Sequence, residues 1–174
     1  VEETVGINAV EQYVGDWALQ NNAAFPKPGP DTGKKVAIVG GGCAGLTAAF
    51  FLRQKGHACT IFDSYDKLGG MMVFGIPGYR TPREVLDGEI NRIIDMGVEV
   101  KLSTRVGTDV SVEELERDFD AVFWGIGAVA GQVLSIPGGD APNCVDGMSY
   151  LRAYNEGRLK YLDGRVLVIG AGDT

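Results

Sequence analysis

Four residues between positions 40 and 63 have the types and the spacing needed to bind the phosphates and the ribose of a dinucleotide. Gly40, Gly42 and Gly45 form a GxGxxG pattern, and the acid Asp63 follows it. Gly40 would permit a tight turn, Gly42 would let the backbone approach a pyrophosphate, and Gly45 would let a helix pack closely on a strand. Asp63 could accept hydrogen bonds from both hydroxyls of an adenosine ribose. The spacing therefore predicts a dinucleotide site for an adenosine without a 2′-phosphate.

The residues around this pattern predict the elements that would position it. Apolar residues 36–39 indicate a buried strand, a helix follows the glycines, and residues 58–62 indicate a second strand that ends at Asp63. The N-terminus of such a helix directs free N–H groups and the positive end of its dipole at the phosphates, so Cys43 and Ala44 are also candidate cofactor contacts. A GxGxxG pattern alone is weak because glycine-rich turns are common, but this context supports it. We therefore predict an α/β fold.

Composition narrows the classes of function. The chain of 174 residues has 26 glycines, a net charge of −7 and no basic run, which argues against a nucleic-acid partner. Its three cysteines are too scattered for a disulfide framework or a metal-ligand pattern, so no metal site is predicted. No apolar run has the length of a membrane span and no signal-peptide pattern is present, so we expect a cytoplasmic protein. No catalytic constellation can be assembled, which suits an enzyme whose cofactors carry the chemistry.

A second glycine-rich turn follows residues 165–169, which are predicted to form a buried strand. Gly170 and Gly172 open this turn in the sequence VLVIGAGDT. Two such turns indicate two nucleotide cofactors, for which the natural pairing is a flavin with a nicotinamide. Because the chain begins at Val1 and ends within this motif, we expect it to be a piece of a longer protein.

Two segments between the turns are further candidates for contact with a cofactor. Gly70, in GGMMVFGIP, would let backbone lie against a ligand, while Met71 and the apolar residues after it could face a flat ring system or pack on the core. Residues 104–107, which include Val106, could lie beside an adenine ring or form an ordinary strand end. The residues alone leave both pairs of alternatives open.

The remaining segments carry helix and strand signals. Residues 8–22 have the apolar spacing of an amphipathic helix that needs a partner surface, and a proline-rich linker follows over residues 25–34. Capping patterns predict helices that begin after Thr81 and Ser111. Other predicted elements are a strand over residues 98–102, a strand over residues 121–124 and a helix over residues 147–156. After the second of these strands the chain would turn at Gly125 and Gly127, near the ligand-binding edge of the sheet.

These motifs together resemble the small subunit of NADPH-dependent glutamate synthase and its relatives, which include pyrimidine-reducing dehydrogenases and ferredoxin-coupled transhydrogenases. The resemblance covers nearly the whole chain through VGINAVEQYVGDWA, VAIVGGGCAGLTAAFFLRQKGHACTIFD, DKLGGMMVFGIPGYRTPREVLDGEI, DAVFWGIGA with IPGGD, and VLVIGAGDT. The GGMMVFGIP block followed by TPREVLDGEI is specific to this group. Two positions depart from its pattern, since Asp63 stands where a glutamate is frequent and Trp124 with Ile126 replaces an Ala-Thr-Gly run.

The resemblance implies an FAD site at the first turn and an NADPH site at the second. The implied contacts to the FAD pyrophosphate and adenosine are Gly40, Gly42, Gly45 and Asp63. Lys67, Gly70 and Met71 would lie along the flavin side, and Val106 would touch the adenine. Gly170 and Gly172 would begin the nicotinamide site. Relatives also carry an iron–sulfur segment upstream of the amphipathic helix and a later segment that completes the FAD domain. We therefore expect iron–sulfur clusters outside this chain.

The implied fold is a Rossmann-like FAD-binding domain of a flavoprotein that has two dinucleotide-binding domains. Residues 1–34 would form the N-terminal helix and linker, and residues 35–145 the incomplete FAD-binding domain. Residues 146–174 would begin the NAD(P)-binding domain.

The implied function is electron input. Electrons would pass from NADPH through FAD to iron–sulfur centres of a partner subunit, with reductive glutamate formation from glutamine and 2-oxoglutarate as the expected partner reaction. A ferredoxin–NAD(P) transhydrogenase or another anaerobic reductase could use the same module. A domain that holds FAD without turning it over is the third alternative.

Overall fold

Four parallel strands form the sheet of the computed structural model, which describes residues 4–132 and 135–170. They are, in chain order, β1 (Lys35–Val39), β2 (Ala58–Phe62), β3 (Glu99–Lys101) and β4 (Ala121–Trp124). The order across the sheet is β3-β2-β1-β4, with β1 paired to β2 on one side and to β4 on the other. The strand order therefore reverses between β1 and β4, and ligands of open α/β sheets bind outside the carboxyl ends of the strands at such a point.

Six helices flank the strands within the described residues. They are α1 (Ile7–Gln20), α2 (Cys43–Gln54), α3 (Met71–Phe74), α4 (Arg83–Ile94), α5 (Val112–Asp118) and α6 (Gly147–Asn155). The predicted strands over 58–62 and 121–124 have the observed bounds, and the ends of α1 and α6 lie within two residues of the predicted ones. The alternation of parallel strands with helices confirms the predicted α/β fold.

The two faces of β1 pack into two separate apolar clusters because successive side chains of a strand point to opposite faces. Val36 and Ile38 face the side covered by α2 and α4, in a cluster completed by Leu46, Ala49, Cys59, Ile61 and Val98. Ala37 and Val39 face the other side, where they pack with Phe62 of β2 and Leu115 of α5. The central strand is thus buried on both faces, as the continuous apolar run over residues 36–39 predicts.

The helix-start predictions have different outcomes. At α5 the capping box is confirmed, since Ser111 Oγ accepts from the Glu114 N–H at 3.1 Å and Glu114 Oε2 accepts from the Ser111 N–H at 2.8 Å. The hydrogen bond from the Ser111 backbone holds the pKa of Glu114 below its ordinary value. The Thr81 cap is wrong, because Pro82 has an extended ψ of 135° and is itself the N-cap of α4. The Thr81 N–H instead donates to Pro77 in the preceding turn.

The predicted linker over residues 25–34 has no regular secondary structure and is attached to α4 by Arg92. Arg92 Nη2 donates to the Ala23 carbonyl at 2.7 Å, and the guanidinium lies 4.0 Å from the centre of the Phe25 ring. That ring packs edge-on against Phe50 of α2, with 4.8 Å between ring centres. A cation held over an aromatic face thus fixes the start of the linker to the domain.

Helix α1 contacts the domain mainly near its C-terminal end. A Cβ built on Gly88 of α4 would lie 3.0 Å from Leu19 Cδ2, so the glycine permits this close approach. Towards the N-terminus of the helix, five large apolar side chains are 51–70% exposed, namely Ile7, Val10, Tyr13, Val14 and Trp17. Helix α4 therefore covers only part of the apolar face that the sequence predicts.

The predicted buried strand over residues 165–169 is wrong for this structure. These residues pair with no strand in the described part of the chain, and the side chains of residues 166–169 are 53–84% exposed. A strand is stable only where a neighbour accepts its backbone hydrogen bonds and covers its apolar face. No described element supplies either beside this segment. Among the described residues, no helix is both long enough and apolar enough to cross a membrane.

The three cysteines should differ in reactivity. Cys59 is 2% exposed and burial raises the pKa of its thiol to about 11, whereas Cys43 and Cys144 are exposed. Because the thiolate is the reactive form, iodoacetamide should alkylate Cys43 and Cys144 in the folded chain, and Cys59 only after unfolding in guanidinium. Peptide mass spectrometry would assign each adduct. Equal labelling of all three thiols in the native chain would contradict the burial of β2 beneath α2.

Candidate dinucleotide-binding site

Three glycines bring the backbones of β1, α2 and β4 into direct contact at the carboxyl end of the sheet. Gly40 has φ +103°, and a Cβ there would overlap the carbonyl of Gly125, which follows β4. A Cβ on Gly45 would overlap the carbonyl of Gly40. Gly40 and Gly45 are therefore required by backbone packing, as the sequence predicts. Gly125 is the third member, and its only signal in the sequence is its position directly after a predicted strand.

Gly42 differs from its neighbours, because nothing in the described structure requires a glycine there. Its φ of −79° suits any residue, and the nearest atom to an added Cβ is Gly70 Cα at 3.6 Å, an ordinary contact distance. The space beside Gly42 is where the GxGxxG pattern places the pyrophosphate of a dinucleotide. The open position at Gly42 therefore fits a bound cofactor, since a side chain would occupy the space that the phosphates need.

The N-terminus of α2 faces this space. Gly42 is the N-cap and offers no side-chain cap, and the Leu46 N–H is the one that donates back to the Gly42 carbonyl at 2.9 Å. The amides of Cys43, Ala44 and Gly45 therefore belong to the first turn, whose N–H groups have no partner within a helix. Cys43 and Ala44 are exposed. Such a terminus provides N–H donors and a positive dipole end for an anion.

Asp63 fixes the glycine turn through hydrogen bonds to its buried carboxylate. It is only 6% exposed, its Oδ2 accepts from the Gly41 N–H at 2.6 Å, and its Oδ1 accepts from the Tyr65 N–H at 2.9 Å. The carboxylate thus ties the end of β2 to the turn that follows β1. Each carboxylate oxygen can accept more than one hydrogen bond, so these contacts leave capacity for ribose hydroxyls. Contact with a ribose stays a prediction.

The segment that contains Val106 begins directly beside Asp63. The Asp63 carbonyl accepts from the Thr104 N–H at 2.8 Å, and the Asp63 N–H donates to the Lys101 carbonyl at 2.9 Å. Val106 is half-buried and packs against the cluster formed by Ala37, Val39, Phe62 and Leu115. Residues 104–107 thus lie next to Asp63, and an adenine contact through the Val106 backbone stays a prediction.

Gly70 lies against the phosphate turn from the other side. It has φ +51°, and a Cβ on it would lie 2.8 Å from Gly42 Cα. The preceding Gly69 donates its N–H to the Gly41 carbonyl at 2.8 Å. Lys67 is exposed nearby in the chain. Two glycine-rich segments therefore pack backbone to backbone beside the open position.

The apolar residues after Gly70 are divided between the core and a small cavity, and contact with a flat ring system stays a prediction. They form the single turn of α3, in which Val73 and Phe74 are buried, whereas Met71 is half-buried. Met71 lines a small cavity with a charged residue, Arg152, whose guanidinium lies 4.5 Å from the centre of the Tyr65 ring. The Arg152 hydrogen bond to Glu156, at 2.6 Å, raises the pKa of the guanidinium and lowers that of the carboxylate.

Sequence reasoning missed Gly41, Arg83, Arg152 and Tyr65 as parts of this region. Gly41 is the middle glycine of GGG, and its role appears through its hydrogen bonds to Asp63 and Gly69 and through its close packing on Leu68. The other three act across long separations in the chain, which no local pattern records. Within residues 4–132 and 135–170, no group of three or more His, Cys, Asp or Glu side chains could hold a metal ion.

Cofactor contacts of the last three predicted site residues stay predictions. Gly127 has φ +68° and Gly170 has φ +113°, and an added Cβ on either would meet no atom within 4 Å. Gly172 lies outside the described residues. The nicotinamide site is therefore still a prediction.

Sequence comparison supports the resemblance over nearly the whole chain. The NADPH-Fe(3+) oxidoreductase subunit beta of Geobacter sulfurreducens is 39% identical over 100% of this chain, and the NADP(+)-dependent formate dehydrogenase subunit beta of Moorella thermoacetica is 41% identical over 93% of it. The glutamate synthase [NADPH] small chain of Azospirillum brasilense is 34% identical over 98%. The chain spans 27%, 24% and 38% of the lengths of these three relatives.

A solved structure supports the fold. FprA from Mycobacterium tuberculosis superposes with a TM-score of 0.65 over 70% of this chain and 29% of its own, at 22% sequence identity. The family model of the pyridine nucleotide-disulphide oxidoreductases matches residues 34–174, the region that starts just before β1 and continues through the second glycine-rich turn. Together with the similarity to glutamate synthase small chains, this match confirms the predicted resemblance. The chain belongs to the pyridine nucleotide-disulphide oxidoreductase family.

Proposed function

We propose that this chain is the FAD-binding portion of an NAD(P)H-dependent oxidoreductase that passes electrons to the iron–sulfur centres of a partner. The observation that carries the proposal is the open position at Gly42, where neither φ nor packing requires a glycine and where a side chain would intrude on a pyrophosphate. Bound FAD would supply the chemistry, accepting a hydride from the nicotinamide and releasing electrons singly. Binding and orienting that cofactor is the task of the residues described above.

Each group of residues would have a separate part in binding. The amides of Cys43, Ala44 and Gly45 would donate to the phosphates, and Asp63 would hold the turn while it accepts from the ribose. On the flavin side, Lys67, Gly70 and Met71 would border the ring system, and Val106 would lie at the adenine end. We further propose that residues 35–145 form the FAD-binding domain and that residues 146–174 begin the NAD(P)-binding domain.

The relatives support two different reactions for the partner that would accept the electrons. Three glutamate synthase [NADPH] small chains are 34% identical to this chain, which favours a partner that forms glutamate reductively. The two relatives with 39% and 41% identity are beta subunits of an NADPH-Fe(3+) oxidoreductase and an NADP(+)-dependent formate dehydrogenase. Their higher sequence identity favours a second candidate function, in which this chain belongs to an electron-input module of an anaerobic reductase or transhydrogenase. In either case we propose a cytoplasmic enzyme with NADPH as the donor.

The test is visible absorption spectroscopy of the chain after incubation with FAD and gel filtration, and of the full-length parent protein during anaerobic addition of NADPH and then NADH. Retained flavin bands that bleach with NADPH support the proposal and name the donor. Retained bands that neither nucleotide bleaches would favour a domain that holds FAD without turning it over. Loss of all flavin from both proteins would overturn the proposal.

Alanine substitutions at Gly42 and Gly45 should separate cofactor binding from folding. Gly42→Ala should change the free energy of unfolding without cofactor by less than about 1 kcal/mol, because φ is ordinary and the Cβ meets only one atom at 3.6 Å. It should weaken FAD binding by at least tenfold, about 1.4 kcal/mol. Gly45→Ala should lower the free energy of unfolding by about 1–3 kcal/mol or more, because its Cβ overlaps the Gly40 carbonyl.

Denaturant titration and FAD binding by fluorescence measure these two effects on the same samples. Normal FAD binding by Gly42→Ala would count against the proposal, because the pyrophosphate would then not need the space beside Gly42. Equal destabilisation by both substitutions would count against the steric distinction.

Asp63→Asn should weaken both the turn and the site. The amide can accept a hydrogen bond from only one of the Gly41 and Tyr65 N–H groups, so the other is left without an acceptor in a buried position. The free energy of unfolding should fall by about 1–3 kcal/mol, and FAD should bind more weakly. The matched control is Asp66→Asn, an exposed carboxylate in the same loop. Thermal unfolding with and without FAD distinguishes the two effects, and wild-type behaviour of Asp63→Asn would refute the role of the carboxylate.

A further inference from the structure

Segment 70–76, which includes α3, depends on side chains from outside it for three of its backbone carbonyls. Five amides of residues 72–76 donate to the carbonyls of Gly69, Gly70 and Met71. The carbonyls of Met72, Phe74 and Ile76 accept instead from the side chains of Arg83 and Asn155. A one-turn helix leaves most of its carbonyls without partners, and here two side chains provide the missing donors.

Arg83 joins the segment to α6. Its Nη1 donates to the Met72 carbonyl at 2.8 Å, and its Nη2 donates to the Ile76 carbonyl at 2.7 Å and to Asn155 Oδ1 at 2.9 Å. Asn155 completes the arrangement, because its Nδ2 donates to the Phe74 carbonyl at 2.9 Å. The first residue of α4 and the last residue of α6 therefore hold the same short stretch of backbone. Only a planar guanidinium presents donors in the fixed fork that this geometry needs.

One face of α6 lies along the segment. Met148, Arg152 and Asn155 have the spacing of a single helical face, and Met148 Cε lies 3.5 Å from the position of a Cβ built on Gly75. Arg152 lies over the Tyr65 ring, whose centre is 4.5 Å from that of Phe74. Helix α6 thus contacts the segment along its length rather than at one point.

The other end of the segment is the wall of the candidate cofactor site. Gly70 approaches Gly42 so closely that a Cβ on Gly70 would lie 2.8 Å from Gly42 Cα. A displacement of the segment would therefore move Gly70 and Met71 relative to the phosphate turn. A continuous series of contacts runs from α6 through Arg83 and Asn155 to this wall.

We propose that Arg83 and Asn155 are positioning residues for FAD, which fix segment 70–76 to α6 and so set the place of Gly70 and Met71 beside the cofactor. This role rests on the proposed function, because it assigns the wall to the flavin side. The chain continues from α6 towards Gly170. The same contacts thus connect the first cofactor site with the region that leads to the second glycine-rich turn.

The test compares Arg83→Lys and Asn155→Ala with two matched controls, Arg117→Lys on α5 and Asn91→Ala on α4, where both side chains are exposed. Each protein is incubated with FAD, and the dissociation constant and the visible circular dichroism of the bound flavin are measured. The first two variants should raise the dissociation constant about tenfold, 1.4 kcal/mol, and change the dichroism of the flavin that remains bound, while the controls match wild type. Hydrogen exchange at the Phe74, Gly75 and Ile76 amides should also be faster in the first two variants.

The outcomes separate the positioning role from the proposed function. Faster exchange with an unchanged dissociation constant and flavin dichroism would overturn the positioning role and leave a contact that serves folding alone. Unchanged exchange in a folded variant would overturn the proposed link to α6. If neither the wild-type chain nor the full-length parent protein binds FAD, the proposed function fails and the positioning role fails with it. Dichroism is read on the flavin-bound fraction, so a loss of folded protein alone cannot produce the expected change.

Discussion

The close backbone contact between Gly40 and Gly45 is the constraint on which the rest of the structure depends. With a hydrogen atom in place of a side chain at Gly45, α2 begins directly above the end of β1, and Gly125 brings the end of β4 against the same point. A methyl group at Gly45 would separate helix and strand, and β1 would lose the cover of Leu46 and Ala49. The contact that places the helix N-terminus beside the candidate phosphate site is thus also a contact that closes the core. Gly42 differs, because neither its φ nor its packing in the described structure requires a glycine.

Much of this arrangement could be predicted from local sequence, because its causes are local. The apolar run over 36–39, the glycine spacing and the capping box at Ser111 each act within a few residues, and each is present as predicted. The Thr81 cap could not be judged in this way, since the ψ of Pro82 depends on a preceding turn that the pattern does not describe. Arg83 was equally hidden, because its partners Met72, Ile76 and Asn155 become neighbours only after folding.

Asp63 lies where the sequence pattern requires an acid, but its observed hydrogen bonds are not the ones that the pattern predicts. The motif places an acid at the end of β2 to bind a ribose, and the structure shows a buried carboxylate that accepts from the Gly41 and Tyr65 amides. Aspartate is shorter than glutamate, so its carboxylate stays close to the backbone and can accept a hydrogen bond from the Gly41 N–H. This contact fixes the glycine turn without a cofactor, so the proposed binding of FAD would cost less conformational entropy.

Gly40 and Gly170, in the two glycine-rich stretches of the chain, have similar local conformations but different surroundings. Gly40 and Gly170 both follow a run of apolar β-forming residues, and their φ angles are +103° and +113°. Around Gly40 the neighbours are β2, β4, α2 and the wall at Gly70, whereas an added Cβ on Gly170 would meet no atom within 4 Å. A similar local sequence is therefore accompanied by a similar φ at the two glycines, but a candidate site is described only where other strands and helices surround the turn. Because those neighbours are distant in sequence, the candidate site is a property of the packing between elements, and we expect substitutions at Arg83 or Asn155 to alter it without touching the glycine motif.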